Sequence, residues 1–197
     1  GYWQVPFGEE TAVNGEWVEA PAWEFFATLF RRFPFLPLIA EDLGVITPDV
    51  REVISHYGFP GMKVLLFGFE GNVADNPYAP HNGVRNSVIY TGTHDNNTAR
   101  GWYRHNAGEQ GRLNLARYLG RPVDECSVAC ELVRLALMSV SNIAIIPMQD
   151  LLGLCEGARM NVPSVAHGNW EWRLKRQQVT PELAGWLLDT VRLYGRA

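Results

Sequence analysis

Two stretches of this sequence end an apolar run on acidic residues. Residues 37–44 (Pro-Leu-Ile-Ala-Glu-Asp-Leu-Gly) lead into the adjacent carboxylates of Glu41 and Asp42. A β-rich run that begins at Ser87 ends on His94 and Asp95, and Asp95 lies 54 positions after Glu41 (95 minus 41). In a barrel of parallel strands, catalytic groups lie at the C-terminal strand ends. The spacing therefore predicts two acids, Glu41 and Asp95, that face each other across one substrate.

Each stretch also has a purely structural interpretation. Glu41 and Asp42 could cap the helix that follows them, since acidic residues stabilise helix N-termini. The pair His94-Asp95 could be an ordinary surface hydrogen bond. Two acid-tipped strands in one chain favour a site over either alternative. Asp42 follows Glu41 directly and, with the period of two of a strand, is expected to face the other side as a structural residue.

The elements that would position these acids alternate between strands and helices. Short, continuous apolar runs are typical of strands buried on both faces, and their alternation with helices predicts a parallel sheet. Residues 1–22 and 71–86 are expected to be loops, because they are rich in Gly, Pro and Asn. The predicted strands are 38–40, 62–69, 87–91 and 143–147, and the predicted helices are 22–33, 48–58, 98–119, 122–139 and 181–194.

Composition narrows the class of protein. The 197 residues include 47% hydrophobic residues, enough for the core of one domain. The net charge is −4 and the 17 basic residues are scattered, which argues against a nucleic acid or a membrane surface as partner. No apolar run has the length of a membrane span, and the N-terminus shows no signal-peptide pattern. The three cysteines have no metal-like spacing, which predicts reduced thiols in a cytoplasmic protein.

Several motifs resemble one enzyme family. Residues 39–48, 60–65 and 91–96 closely resemble the 4-alpha-glucanotransferases, the family of amylomaltase and disproportionating enzyme. The same holds for residues 10–15, 159–161 and 168–170, and the matches run in order over nearly the whole chain. The resemblance is to the C-terminal part of that family. It implies an α/β fold, the C-terminal half (strands five to eight) of a (β/α)8 TIM barrel. Residues 1–197 would then be a single partial catalytic domain whose N-terminal half is absent.

The resemblance also implies a reaction and roles for particular residues. The family transfers α-1,4-glucan segments between maltooligosaccharides or to glucose with retention, which requires a nucleophilic carboxylate and a second carboxyl group as acid/base. Glu41 would be the acid/base, Asp95 a further carboxylate that stabilises the transition state, and His94 a hydrogen-bonding partner of the same sugar. Asn161 and Asn169, in loops beside the last strand, are candidate contacts for sugar hydroxyls. No cofactor and no metal ion are expected, because no phosphate-binding or metal-ligand pattern is present.

Two departures from the family pattern bear on this expectation. The family nucleophile belongs to an Arg-x-Asp motif, and no residue of this chain matches it, so the isolated chain is expected to be inactive. Ser164 stands where a Gly commonly follows the Pro of Met-Asn-x-Pro-Gly. Two alternatives stay open: an amylase-like α-glucan hydrolase with water as acceptor, and a non-catalytic α-glucan-binding module. The expected partners are the α-glucan and the N-terminal half of the same barrel, with self-association of the fragment as a further possibility.

Overall fold

The computed structural model describes residues 1–197 and divides into two compact units, Gly1–Phe59 and Pro60–Ala197. The first unit begins with an antiparallel hairpin of β1 (Tyr2–Gln4) and β2 (Glu16–Val18). Trp3 pairs with Trp17 across this hairpin, with ring centroids 5.6 Å apart. The prediction of a loop over residues 1–22 was wrong here, because strands of three residues are too short to show a periodic pattern. That the whole chain is one partial catalytic domain stays a prediction.

Two helices complete the regular structure of the first unit. Helix α1 (Ala22–Arg32) and helix α2 (Pro48–Tyr57) form where the sequence predicts them. Helix α2 begins after Thr47 with Pro at its first position and ends at Gly58, whose φ of 65° is the left-handed conformation that favours glycine. The Tyr57 ring stacks on the Phe30 ring at 5.4 Å, so aromatic contacts hold the two helices together.

The segment expected to be the first core strand is irregular. Residues 38–40 form no strand, and Ala40 makes only an isolated β-bridge. Pro34 and Pro37 lie just before this segment, and neither has an N–H group to donate to a sheet. The prediction of a strand over residues 38–40 was therefore wrong, although Glu41 still follows the apolar run directly.

The second unit is an α/β structure built on a three-stranded parallel sheet. Strands β3 (Gly61–Val64), β4 (Ser87–Tyr90) and β5 (Ile143–Ile145) lie in the order β3-β4-β5. Val64 pairs with Tyr90, and Tyr90 pairs with Ile145. The C-terminal ends of all three strands therefore lie at the same end of the sheet. Five helices belong to this unit: α3 (Ala99–His105), α4 (Gly108–Leu119), α5 (Val128–Met138), α6 (Met148–Leu151) and α7 (Pro181–Leu193).

The second unit differs from the sequence prediction mainly at element ends. The run predicted as a strand over residues 62–69 leaves the sheet at Leu65, where a 3-10 turn over Leu65–Phe67 begins. The helix predicted over residues 98–119 is interrupted between α3 and α4, and Gly108 (φ 62°) supplies the left-handed residue at the break. Helix α7 follows Thr180, whose hydroxyl accepts the N–H of Leu183 as an N-cap.

The core of the second unit lies where the sheet meets helix α5. Leu132, Val133 and Ala136 of α5 are fully buried, and so are Val64 and Val88 of the sheet. This packing fixes the positions of the strand ends, and the loops that follow the strands extend from there. None of the helices is long and apolar enough to span a bilayer.

Candidate active site

The loop over residues 92–98, called here the His94–Asp95 loop, follows the end of β4. Thr91 continues the strand, since its carbonyl accepts the N–H of Leu66 at 3.3 Å, and the chain then passes through Gly92. A Cβ at Gly92 would lie 3.0 Å from Leu66 Cδ1, so the loop leaves the sheet at a point with little space for a side chain. His94 and Asp95 are the first long polar side chains beyond the strand end.

Thr93 and Asn96 close this loop into a turn with His94 and Asp95 at its tip. The Asn96 N–H donates to the Thr93 carbonyl at 3.2 Å. The Asn96 side-chain oxygen accepts from the N–H of Thr93 at 2.8 Å and from its hydroxyl at 2.9 Å. Asn side chains favour such turns because they replace backbone hydrogen-bond partners. The turn therefore holds His94 and Asp95 just beyond the end of β4.

Asp95 and His94 contact the loop that carries Asn161. The Asn161 side-chain amide donates to Asp95 Oδ1 at 2.5 Å, and the Asn161 N–H donates to the His94 carbonyl at 3.1 Å. His94 Nε2 lies 3.4 Å from the same Asp95 oxygen, and both side chains are about half exposed. The structure thus brings together three of the residues that the sequence singled out.

Two residues that the sequence analysis did not nominate also belong to this cluster. Arg159 donates from Nη2 to the Asp95 carbonyl at 2.6 Å and from Nε to the Asn161 carbonyl at 2.8 Å. The Trp170 ring lies 5.2 Å from the His94 ring at 36°. The motifs 159–161 and 168–170 contained both residues, so the signal was present in the sequence. Arg and Trp have many structural uses, however, and only the contacts reveal their place here.

Trp170 is held in an unusual backbone conformation. Its φ is 64°, a left-handed value that is uncommon for a large side chain, and its N–H donates to the Met160 carbonyl at 2.6 Å. Strained residues of this kind concentrate at functional sites, where the surrounding structure holds them. The Trp170 ring that this backbone carries lies next to the His94 ring.

Asn169 lies one residue before Trp170, and its side chain makes hydrogen bonds within the same loop. Its side-chain oxygen accepts the N–H of Val162 at 2.9 Å, and its amide donates to the Val165 carbonyl at 2.7 Å. Asn169 therefore shapes the loop through these contacts.

Glu41 lies in the other unit, Gly1–Phe59, and is exposed. It lines a cleft of about 630 Å³ whose walls are mainly apolar and include Trp23, Phe26, Ile39 and Val50. No group of three or more His, Cys, Asp and Glu side chains is arranged to hold a metal ion.

Comparison with known proteins gives a consistent result along the chain. Residues 1–179 match the model of the family described as 4-alpha-glucanotransferase. The 4-alpha-glucanotransferase of Streptococcus pneumoniae serotype 4 is 46% identical over 196 residues, which are 99% of this chain and 38% of that protein. The 4-alpha-glucanotransferase of Synechocystis sp. is 47% identical over 197 residues, again 99% of this chain and 38% of that protein.

A solved structure agrees with the sequence matches. The amylomaltase from Streptococcus agalactiae, in complex with acarbose, superposes with a TM-score of 0.93 at 34% identity, over 100% of this chain and 39% of that one. The chain therefore spans well under half the length of the relatives that it matches.

Proposed function

Since this chain belongs to the 4-alpha-glucanotransferase family, we propose that the complete protein moves α-1,4-glucan segments between maltooligosaccharides, or from them to glucose, with retention. The observation that carries this proposal is the contact between Asp95, Asn161 and His94 at the end of a parallel strand. It brings a carboxylate, an amide and an imidazole to one place, and these are groups that can hydrogen-bond several hydroxyls of one sugar ring.

Glu41 is the acid/base of this reaction. In the first step it gives a proton to the glycosidic oxygen as the bond to the anomeric carbon breaks and a nucleophilic carboxylate bonds to that carbon. In the second step it takes the proton of the acceptor hydroxyl, whose oxygen displaces the enzyme carboxylate. The nucleophile itself lies outside these 197 residues, as none of them matches the Arg-x-Asp motif.

Asp95 and His94 act on the sugar whose bond is broken. Asn161 and His94 both lie on the Oδ1 side of Asp95, which leaves Oδ2 for sugar hydroxyls. The negative charge stabilises the positive charge that develops at the ring in an oxocarbenium-like transition state. His94, held against the Trp170 ring, donates to a hydroxyl of the same sugar. Asn161 and Asn169 contribute further hydroxyl contacts on the same side.

The finer description of the fold also belongs to this proposal. Strands β3, β4 and β5 are parallel and adjacent, with helices in their connections, as in part of a (β/α)8 barrel. In this proposal they are strands six to eight of that barrel, and strand five comes before them in the sequence. The remaining strands would come from the N-terminal half of the same barrel.

Cys126, Cys130 and Cys155 are free thiols, which fits a reducing compartment such as the cytoplasm.

Counting reducing ends during incubation of the complete protein with maltotriose tests the proposed function. Transfer leaves the number of reducing ends constant while longer and shorter products form, whereas each hydrolysis adds one. We expect a constant number and the entry of labelled glucose into longer products. A steady rise would identify an amylase-like hydrolase. Binding of maltooligosaccharide with no change in chain length would identify a non-catalytic module.

A further inference from the structure

The carboxylate of Asp150 is buried beneath the His94–Asp95 loop. Asp150 is 3% exposed and lies in the short helix α6, which begins just after β5. Its Oδ2 accepts the hydroxyl of Thr91 at 2.5 Å, and its Oδ1 accepts the N–H of Ala99 at 2.7 Å. Thr91 is the residue immediately before the loop and Ala99 the residue immediately after it. One carboxylate therefore connects both ends of the loop that carries His94 and Asp95.

Packing alone does not fix this loop. A cavity of about 160 Å³ lies beside it, lined by residues of the loop and by Pro147, Gln149, Asp150, Arg159 and Met160. With space on one side, the position of the loop depends on hydrogen bonds, and those at its tip are made by exposed groups. The two bonds to Asp150 are buried, where loss of a partner is most unfavourable.

Burying a carboxyl group is itself unfavourable unless its oxygens are satisfied. Burial raises the pKa of Asp150, while the N–H of Ala99 and the hydroxyl of Thr91 act in the opposite direction. Asp150 therefore opposes folding less than an unpartnered acid would, and its two bonds join three separate elements: β4, α3 and α6.

We propose that Asp150 is a positioning residue of the active site, which fixes the end of β4 and the beginning of α3 and thereby the direction in which His94 and Asp95 face. This inference rests on the proposed function for its effect on turnover. Because Asp95 acts mainly in the transition state, misplacing it changes kcat more than KM.

Four variants of the complete protein separate positioning from general stability. Asp150→Ala removes both bonds, whereas Asp150→Asn keeps an acceptor for Ala99 and offers an amide to the Thr91 oxygen. Thr91→Val removes one bond at nearly constant volume. Ser141→Ala is the matched control, because it removes a buried hydroxyl contact of 2.8 Å with Ser87 at the opposite end of β4.

The readouts are kcat and KM for maltotriose, together with amide hydrogen exchange over residues 92–99. We expect Asp150→Ala to lower kcat by about 100-fold, the loss that a displacement of about 1 Å can produce, with KM nearly unchanged. Exchange of the loop amides should accelerate in the same variant. Thr91→Val should show a smaller loss of kcat, while Asp150→Asn should recover most of it. Ser141→Ala should match the parent in both readouts.

Several outcomes would overturn the proposal. Parental kcat in Asp150→Ala would do so, as would an equal loss in Ser141→Ala or a failure of Asp150→Asn to recover activity. If Asp150→Ala does not fold, Thr91→Val decides by the same criteria. If the parent protein transfers no glucan, the proposed function fails separately. Amide exchange then decides alone, and equal exchange in the parent and Asp150→Ala would refute the positioning role.

Discussion

Asp95 is a carboxylate with its two oxygens in different surroundings. Oδ1 accepts a hydrogen bond from the Asn161 amide at 2.5 Å and lies 3.4 Å from His94 Nε2. The Asp95 carbonyl accepts a hydrogen bond from Arg159. Such an arrangement fixes a negative charge before substrate arrives, which is the condition for strong electrostatic stabilisation of a transition state. Asp95 should therefore contribute to rate more than to substrate binding.

Asp95→Asn in the complete protein tests this division. The side chain keeps its shape and an acceptor for Asn161, while the negative charge is lost and the second oxygen becomes an amide donor. We expect kcat and kcat/KM to fall together by about 100-fold or more, with the dissociation constant of maltose nearly unchanged. His94→Ala should give the same signature with a smaller loss. Parental kcat with a raised KM would make Asp95 a binding residue only.

Glu41→Gln tests the acid/base role in a different way. Glutamine cannot give a proton to the leaving oxygen, so transfer from maltotriose should be abolished while the protein stays folded. A glycosyl fluoride donor needs no such proton, and its first step should be retained far better. Glu52→Gln, on the exposed surface of helix α2, is the control and should behave as the parent. Equal loss with both donors would show that Glu41 is not the acid.

Ser164 departs from the family pattern at a position whose backbone conformation favours glycine. Its φ is 67°, a left-handed conformation that favours the Gly commonly found there in the family. We expect Ser164→Gly to raise the free energy of unfolding by up to about 1 kcal/mol, since relief of strain exceeds the added flexibility of the unfolded chain. Val165→Gly, at the next position, should lower it. Urea unfolding of both variants measures the difference, and destabilisation by Ser164→Gly would contradict this account.

At the level of single residues, the sequence predicted side chains that follow an apolar run. His94 and Asp95 were predicted in this way, and Asn161 by its place beside the last strand. The three residues lie together in the structure, and their roles in the reaction stay predictions. Asp150 was not, because its role depends on Thr91 and Ala99, which are 59 and 51 positions away along the chain. Contacts over such distances leave no local pattern.

At the level of elements, the sequence predicted helices and central strands better than short or irregular segments. Strand β4 and helix α5 are apolar and buried, so their patterns are strong. The hairpin of β1 and β2 depends on the pairing of Trp3 with Trp17, a contact that no local pattern shows. Residues 38–40 are as apolar as a core strand, yet the prolines before them remove donors that a sheet requires.

Two glycines in different elements should respond oppositely to alanine. At Gly68, which is buried after the turn that ends β3, a Cβ would lie 2.9 Å from the Tyr78 carbonyl oxygen. Gly185, exposed in helix α7, has nothing within 4 Å of such an atom. We expect Gly68→Ala to lower the free energy of unfolding by about 1–3 kcal/mol. Gly185→Ala should raise it by up to about 1 kcal/mol, because alanine favours helix. Chemical denaturation of both variants tests the pair, and a stable Gly68→Ala would show that the backbone there can move.

At the scale of the whole molecule, strand β5 defines one edge of the parallel sheet. It has a neighbour on one side only, and its Ile143 and Ile145 side chains are 44% and 42% exposed. Edge strands with exposed apolar residues pair readily with other chains unless something covers them. In the proposed barrel, a strand of the N-terminal half would cover this edge.

Residues 1–197 produced as a separate polypeptide should therefore self-associate and transfer no glucan. Self-association follows from the open edge at β5, and inactivity follows because no covalent intermediate forms without a nucleophile. Sedimentation over a range of concentrations measures the first, and Ile145→Lys should reduce it, since a charge on an edge strand opposes pairing. Incubation with maltotriose measures the second, before and after addition of the remaining part of the protein as a second chain. Activity only after mixing would support the half-barrel assignment. Transfer by residues 1–197 alone would refute it, because these residues would then have to supply a nucleophile that the family motif does not identify.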